Sequence, residues 1–120
     1  MAEFTDSNFN NIMRQIIKKS LFTERQIQII LNRKNLSEFD FGISKGAYFR
    51  QVAQSRDKLM SFYYTIVLLR SLGILLPDDI DVMSRLAEQV SVIKDSDVFP
   101  EREEQVVNVI DKLVRQASGM

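Results

Sequence analysis

Apolar residues recur at helical spacing along nearly the whole chain, and this period constrains the fold more than any other feature. Apolar side chains at i, i+3, i+4 and i+7 lie on one face of an α-helix. The apolar/polar alternation that is typical of a half-buried strand is not found in the sequence. The sequence therefore predicts an all-α fold, one domain of five helices with a long central helix.

The first helix is predicted from a stripe of five apolar residues. The stripe is Phe9, Ile12, Met13, Ile16 and Ile17. Asp6 or Ser7 is the expected N-cap, because a short polar side chain can accept a hydrogen bond from the first-turn amides. The helix is expected to end near Ser20.

The second helix is predicted from a capping box, TERQ at 23–26, in which threonine and glutamine satisfy each other's backbone amides. It should run to about Arg33. The residues that it is expected to bury are Ile27, Ile30 and Leu31. The segment KNLSEFDFG at 34–42 then loses the helical stripe and ends on glycine, which indicates a loop or one irregular turn.

A long third helix follows, with Ser44 as its N-cap and Gly73 at its C-terminal stop. The apolar positions predicted to share one face are Tyr48, Val52, Leu59, Phe62, Tyr63, Ile66 and Leu69. From residue 63 to 76 the segment is apolar on every face, yet it is too short to cross a bilayer. We expect it to be buried, either by the fourth and fifth helices of the same chain or by another subunit.

Two prolines open the last two helices. Pro77 is followed by acids that favour a helix start. The residues in register after it are Ile80, Met83, Leu86, Ala87, Val90 and Ile93. Pro100 opens the fifth helix, which should fray at Ser118 and Gly119. Its expected packing residues are Val106, Ile110, Leu113 and Val114.

The chain contains neither cysteine nor histidine. Disulfides, thiol nucleophiles, the usual general base at neutral pH and the commonest zinc ligands are therefore excluded. Without them an enzyme would depend on carboxylates such as Glu101, Glu103 and Glu104, which more simply favour the N-terminus of the fifth helix. We expect no enzymatic activity, no cofactor and no metal site.

Charge is divided between two parts of the chain, although the formal net charge is zero. Residues 1–76 hold eleven Lys/Arg against six Asp/Glu, a net charge of +5. Residues 77–120 hold five against ten, a net charge of −5. Such asymmetry indicates contact of the basic part with nucleic acid, while the acidic part would serve packing or dimerisation. An uneven scatter of charge over solvated faces is the alternative.

The start of the third helix, GISKGAYFRQVAQSR at 42–56, has a face opposite the apolar side that is small first and polar or cationic further along. Its members are Gly46, Arg50, Ala53, Gln54 and Asp57, with Lys45, Ala47 and Phe49 beside them. A helix that enters the major groove needs little bulk at its N-terminal end, and arginine and glutamine reach base edges. The amides of residues 44–46 suit a phosphate. Arg25 and Lys58 complete the basic part of the predicted DNA-binding set.

Each of these residues also has an interpretation without DNA. Gly46 costs little so close to a helix end. Phe49 could pack against Phe39 or Phe41 of the preceding loop. Arg50 and Arg56 could be solvated, or paired with Asp57 and Asp40.

Residues 22–59 resemble a known motif. FTERQIQIIL resembles the L-T-x-R-Q/E opening of helix-turn-helix domains in sigma-factor carboxy-terminal regions and quorum-response regulators, and GISKGAYFRQVAQSRDKL resembles their recognition helix. Small archaeal helix-turn-helix regulators carry similar segments. The resemblance implies DNA-facing positions at Ser44, Lys45, Ala47, Tyr48, Arg50 and Gln51. It implies core positions at Ile43, Val52 and Leu59.

The chain departs from those families between the two matched segments. They have a short helix there, whereas this chain has the shorter NLSEFDFG. Whether residues 34–43 form a helix-turn-helix turn stays open. The helical wheel also buries Tyr48, which the resemblance exposes.

Two functions are therefore weighed. The first is a cytoplasmic transcriptional regulator that binds double-stranded DNA, forms a homodimer through its carboxy-terminal half and does not contact a membrane. The second is an all-helical protein-interaction module without DNA binding.

Overall fold

The computed structural model describes residues 9–120 and shows an all-α fold. Five helices follow one another along these residues, and no strand occurs among them. The helices are α1 (Asn11–Lys19), α2 (Glu24–Arg33), α3 (Lys45–Ser71), α4 (Pro77–Ile93) and α5 (Pro100–Ser118). At 1.5 Å per residue, α3 is about 40 Å long. The predicted architecture of five helices with one long helix is confirmed.

The N-terminus of α1 is capped by Asn10. Its side-chain oxygen accepts a hydrogen bond from the amide of Met13 at 3.0 Å, and its Nδ2 donates to the carbonyls of Ile93 and Ser96 at 2.8 and 3.0 Å. The predicted caps Asp6 and Ser7 lie outside the described residues. The correct cap ties α1 to the end of α4 as well as closing its own first turn.

The capping box of α2 is confirmed. Thr23 Oγ1 accepts from the amide of Gln26 at 3.1 Å, and Gln26 Oε1 accepts from the amide of Thr23 at 2.9 Å. The predicted buried residues are wrong, because Ile27, Ile30 and Leu31 are only half-buried. Gln28 and Ile29 are the buried residues of α2, since α2 packs against both α1 and α3. With Ile12 and Ile17 of α1 they form the core.

Residues 34–44 form no helix, as the sequence predicts. A row of aromatic rings holds this loop against the body of the protein, with centroids 5.8–6.5 Å apart. The row runs through Phe9, Phe39, Phe41 and Tyr48. It connects the beginning of α1 to the beginning of α3 and thereby fixes where α3 starts.

α5 lies against α1 and α4. Asn11 Nδ2 donates to Glu103 Oε1 at 2.7 Å, and Lys19 Nζ lies 3.6 Å from Asp111 Oδ1. Three residues that were predicted to pack are exposed instead, because α4 has one close helical neighbour and α1 ends opposite Asp111. They are Ile80, Ala87 and Val114.

The second half of α3 is exposed, which contradicts the predicted burial by α4 and α5; burial by another subunit, the other alternative, stays a prediction. Within residues 9–120, α3 has close backbone contact with no helix other than α2, and α2 covers only its first half. The chain turns at Gly73, whose φ is 74°, and α4 then leads toward α5 instead of back along α3. Phe62 and Tyr63 are therefore exposed, although Ile66 and Leu69 are half-buried.

No helix in the described part of the chain is long and apolar enough to span a membrane.

Candidate nucleic-acid interface

The start of α3 is capped by a side chain of its own, and its first turn is exposed at the surface. Ser44 Oγ accepts from the amide of Ala47 at 3.1 Å, as predicted. Gly46 follows in the first turn, and a Cβ built on it would meet no atom within 4 Å. Packing within residues 9–120 therefore does not require glycine here. The sparse surface that it leaves stands at the positive end of the helix dipole.

One side of α3 is anchored to α2. The Tyr48 hydroxyl donates to Asn32 Oδ1 at 2.5 Å, and Lys58 Nζ donates to Gln26 Oε1 at 3.3 Å. These contacts join the end of α2 to the start of α3 and the start of α2 to a point further along α3, so the two helices run antiparallel. Between them Ser55 is buried at 2% exposure, a small side chain that permits close approach.

The opposite side of α3 carries exposed polar side chains. Lys45, Arg50 and Gln54 are exposed, and none of their side chains makes a hydrogen bond or ion pair within residues 9–120. The alternative pairings of Arg50 with Asp57 and of Arg56 with Asp40 do not form. Three donors with unused hydrogen-bonding capacity are thus available at the surface.

An aromatic ring and a second arginine stand beside this face. Phe49 is 45% exposed, and its ring contacts Tyr48 edge-on at 5.3 Å instead of Phe39 or Phe41. The guanidinium of Arg33 lies 5.8 Å from the Phe49 ring centroid, a cation–π contact. The sequence analysis missed Arg33. It occupies the end of α2, and only the antiparallel packing brings it to the start of α3.

Three other predicted contact residues lie where α2 and α3 pack together. The guanidinium of Arg25 lies 3.4 Å from Gln51 Oε1 and 5.2 Å from the Phe41 ring centroid. Lys58 Nζ lies 6.0 Å from the Phe22 ring centroid. Arg25 is still exposed, whereas Gln51 and Lys58 are half-buried. The predicted residues therefore fall into two groups. Lys45, Arg50 and Gln54 have no hydrogen bond or ion pair within residues 9–120. Arg25, Gln51 and Lys58 contact other side chains of their own chain.

The helical wheel and the motif resemblance differ at Tyr48, and the geometry agrees with the wheel. Tyr48 is half-buried, its ring 5.8 Å from that of Phe41. The implied core positions Val52 and Leu59 are half-buried, but Ile43 is exposed. The first residues of α3 are thus seated differently from the matched recognition helix.

Comparison with protein-family models, curated proteins and solved structures finds no match. The resemblance of residues 22–59 therefore rests on the motif residues alone. In the part of the chain that the structure describes, no group of three or more acidic side chains is placed to hold a metal ion.

Proposed function

We propose that the chain is a DNA-binding protein, a transcriptional regulator that inserts the start of α3 into the major groove. The observation that carries the proposal is the exposed, unengaged face of Arg50 and Gln54, with Lys45 exposed in the first turn. The opposite side of the same helix is anchored by Tyr48 and Ser55. A reading helix needs both properties, because donors can select a base only from a fixed position.

The chemistry of this face suits a duplex. Arg50 has the bidentate geometry for guanine O6 and N7, and Gln54 has the paired donor and acceptor for adenine. Lys45 and the first-turn amides suit a phosphate. Arg33 and Arg25 flank the helix and add charge toward the backbone. The net charge of +5 over residues 1–76 favours the same partner.

Salt dependence tests the electrostatic part. Fluorescence anisotropy with a labelled random duplex should show an affinity about 100-fold weaker at 200 mM than at 50 mM salt if about four phosphates are neutralised. An affinity that is unchanged between the two salt concentrations would exclude this mode of binding.

Base reading is tested on a duplex selected from a random library. Arg50→Ala should weaken binding by about 1–3 kcal/mol, since one bidentate base contact is lost. Lys112→Ala on α5 is the matched control, because it removes one exposed basic side chain from the acidic part of the chain. This variant should bind as the wild type does. Equal affinities of all three proteins, with unchanged circular dichroism, would show that α3 does not read the duplex.

A protein-interaction module is the second candidate, and one observation favours it. The second half of α3 exposes large apolar side chains, including Tyr64 and Leu68. A monomer that retains no DNA at physiological salt would support this function over the first.

A further inference from the structure

The second half of α3 and the turn after it form an apolar arm, residues 60–76. Nine large apolar side chains of the arm are exposed: Met60, Phe62, Tyr63, Tyr64, Val67, Leu68, Leu72, Ile74 and Leu76. Tyr64 is 72% exposed and Val67 is 65% exposed. No other helix of residues 9–120 approaches this half of α3. The arm is therefore an apolar surface that no other helix of residues 9–120 covers.

The exposed area of the arm is that of an interface. At about 150–250 Å² for a fully exposed aromatic side chain, the nine residues leave on the order of 1,000 Å² exposed. The largest apolar patch on an ordinary monomer is about 300–600 Å². A stable dimer buries about 800 Å² on each partner. Summed over all its sides, the arm exposes more apolar area than one partner of such a dimer buries.

We infer that a second copy of this chain covers the arm, the two α3 helices packing antiparallel about a two-fold axis near Val67, in the middle of the arm. In a two-fold interface the same patch meets itself, so a charged patch would face its own charge. The arm suits this symmetry because Arg70 is its one charged residue. Arg70 Nη1 donates to the carbonyl of Leu75 at 3.0 Å, so its guanidinium is held by its own chain.

The reading face, the side of α3 that carries Arg50 and Gln54, stays exposed in this dimer. Met60, Tyr63 and Val67 lie about 80°, 140° and 100° around α3 from Arg50 at 100° per residue. Helices that pack side by side through this stripe therefore cover the arm and leave Arg50 exposed on both copies. The interface thus lies on α3, where burial by another subunit was one expectation, and not in residues 77–120, where dimerisation was also expected.

The length of α3 adds a consequence that rests on the proposed function. Arg50 and Val67 are about 25 Å apart along the helix, so two copies place their Arg50 residues about 50 Å apart. One turn of DNA separates half-sites by about 34–36 Å. The two reading faces are thus further apart than one turn, so the dimer would engage half-sites separated by more than one turn of DNA.

Mass in solution, measured without DNA by light scattering, tests the dimer. The wild type is expected at twice 13.9 kDa. Val67→Glu places a charge against its own copy and should give the monomer, with helical circular dichroism retained. Val92→Glu on α4 is the matched control, because Val92 is 79% exposed and lies outside the arm; it should stay dimeric. A monomeric wild type, or a Val67→Glu variant that is still dimeric, would overturn the inference.

The absence of cysteine from the chain allows a second test. A single cysteine near a two-fold axis meets its own copy, within the roughly 7 Å between Cα atoms that a disulfide spans. Val67→Cys should therefore form a covalent dimer on mild oxidation, at least tenfold faster than Val92→Cys. Equal rates would contradict the antiparallel arrangement. A dimer that passes both tests but does not retain DNA leaves this inference standing and removes the proposed function, so the two failures are distinguishable.

Discussion

The two halves of α3 belong to one uninterrupted helix, yet they stand in opposite surroundings. Residues 45–58 pack against α2 on one side through Tyr48 and Ser55 and leave polar side chains on the other. Residues 60–71 are apolar on every side and have no helix beside them. Both halves have the same helical backbone, so they differ in which segments of the chain pack against them.

That contrast shows what burial requires in this fold. The first half is fixed because α2 and the aromatic row reach it. The second half is uncovered because α5 packs on α1 and carries α4 with it, away from α3. An apolar helix face without a neighbour is a destabilising exposure in a monomer, whereas in an assembly it is the interface.

The largest effect should come from a substitution in the second half of α3, measured as a change in DNA binding by the first half. Val67→Glu should weaken binding to a two-site duplex about 100-fold, since linked sites gain on the order of 10²–10⁴ over one site. It leaves Arg50 untouched, so affinity for a single half-site should not change. Anisotropy titrations against both duplexes, with Val92→Glu as control, make the comparison. Equal losses on both duplexes would mean that the halves are not coupled through dimerisation.

The next largest effect is on stability and concerns the hydrogen bond that holds the first half of α3 to α2. Tyr48→Phe removes the donor to Asn32 Oδ1 and should lower the free energy of unfolding by about 1 kcal/mol. Tyr64→Phe makes the same change in the second half, where the hydroxyl has no partner within residues 9–120, and should alter stability by less than about 0.5 kcal/mol. Urea unfolding followed by circular dichroism measures both. Equal values would show that the Tyr48 hydroxyl does not anchor α3.

A smaller effect, of opposite sign, is expected at Ser55. Its Oγ is buried and has no hydrogen-bond partner among residues 9–120. Ser55→Ala removes a desolvated hydroxyl and should stabilise the fold by up to about 1 kcal/mol. Ser61→Ala, at an exposed site further along α3, measures the gain in helix propensity alone. If Ser55→Ala stabilises no more than Ser61→Ala, the buried hydroxyl has a partner such as an ordered water.

Local patterns were enough to predict the elements of the fold. The capping box at Thr23, the cap at Ser44 and the glycine stop at Gly73 depend on residues within one turn of each helix end, so they can be read from sequence. The exposed Lys45, Arg50 and Gln54 were also predicted, because the wheel separates them from the anchored side.

Contacts between distant segments could not be predicted in this way. Periodicity shows that residues 60–76 are apolar but not which helix lies beside them, and the expectation of burial by α4 and α5 was wrong. Arg33 was missed because its position beside Phe49 depends on the antiparallel packing of α2 and α3. The cap of α1 was misplaced since Asn10 is selected by its bonds to Ile93 and Ser96, far along the chain.

The smallest effect concerns Asp111, whose contacts help to hold α5 on α1 and so away from α3. The hydrogen bond from Arg115, at 2.7 Å, lowers the pKa of Asp111 below its usual 3.8, and the charges of Arg115 and Lys19 act in the same direction. Because the folded pKa is the lower one, this contribution to stability is complete above about pH 4 and is lost as the pH falls through the folded pKa. NMR titration of the Asp111 carboxyl should give a midpoint below 3.8, and Arg115→Ala should move it upward more than Lys19→Ala does. A larger shift from Lys19→Ala would mean that the contact between α1 and α5, instead of the pair within α5, sets the charge of Asp111, and that acid would loosen α5 directly.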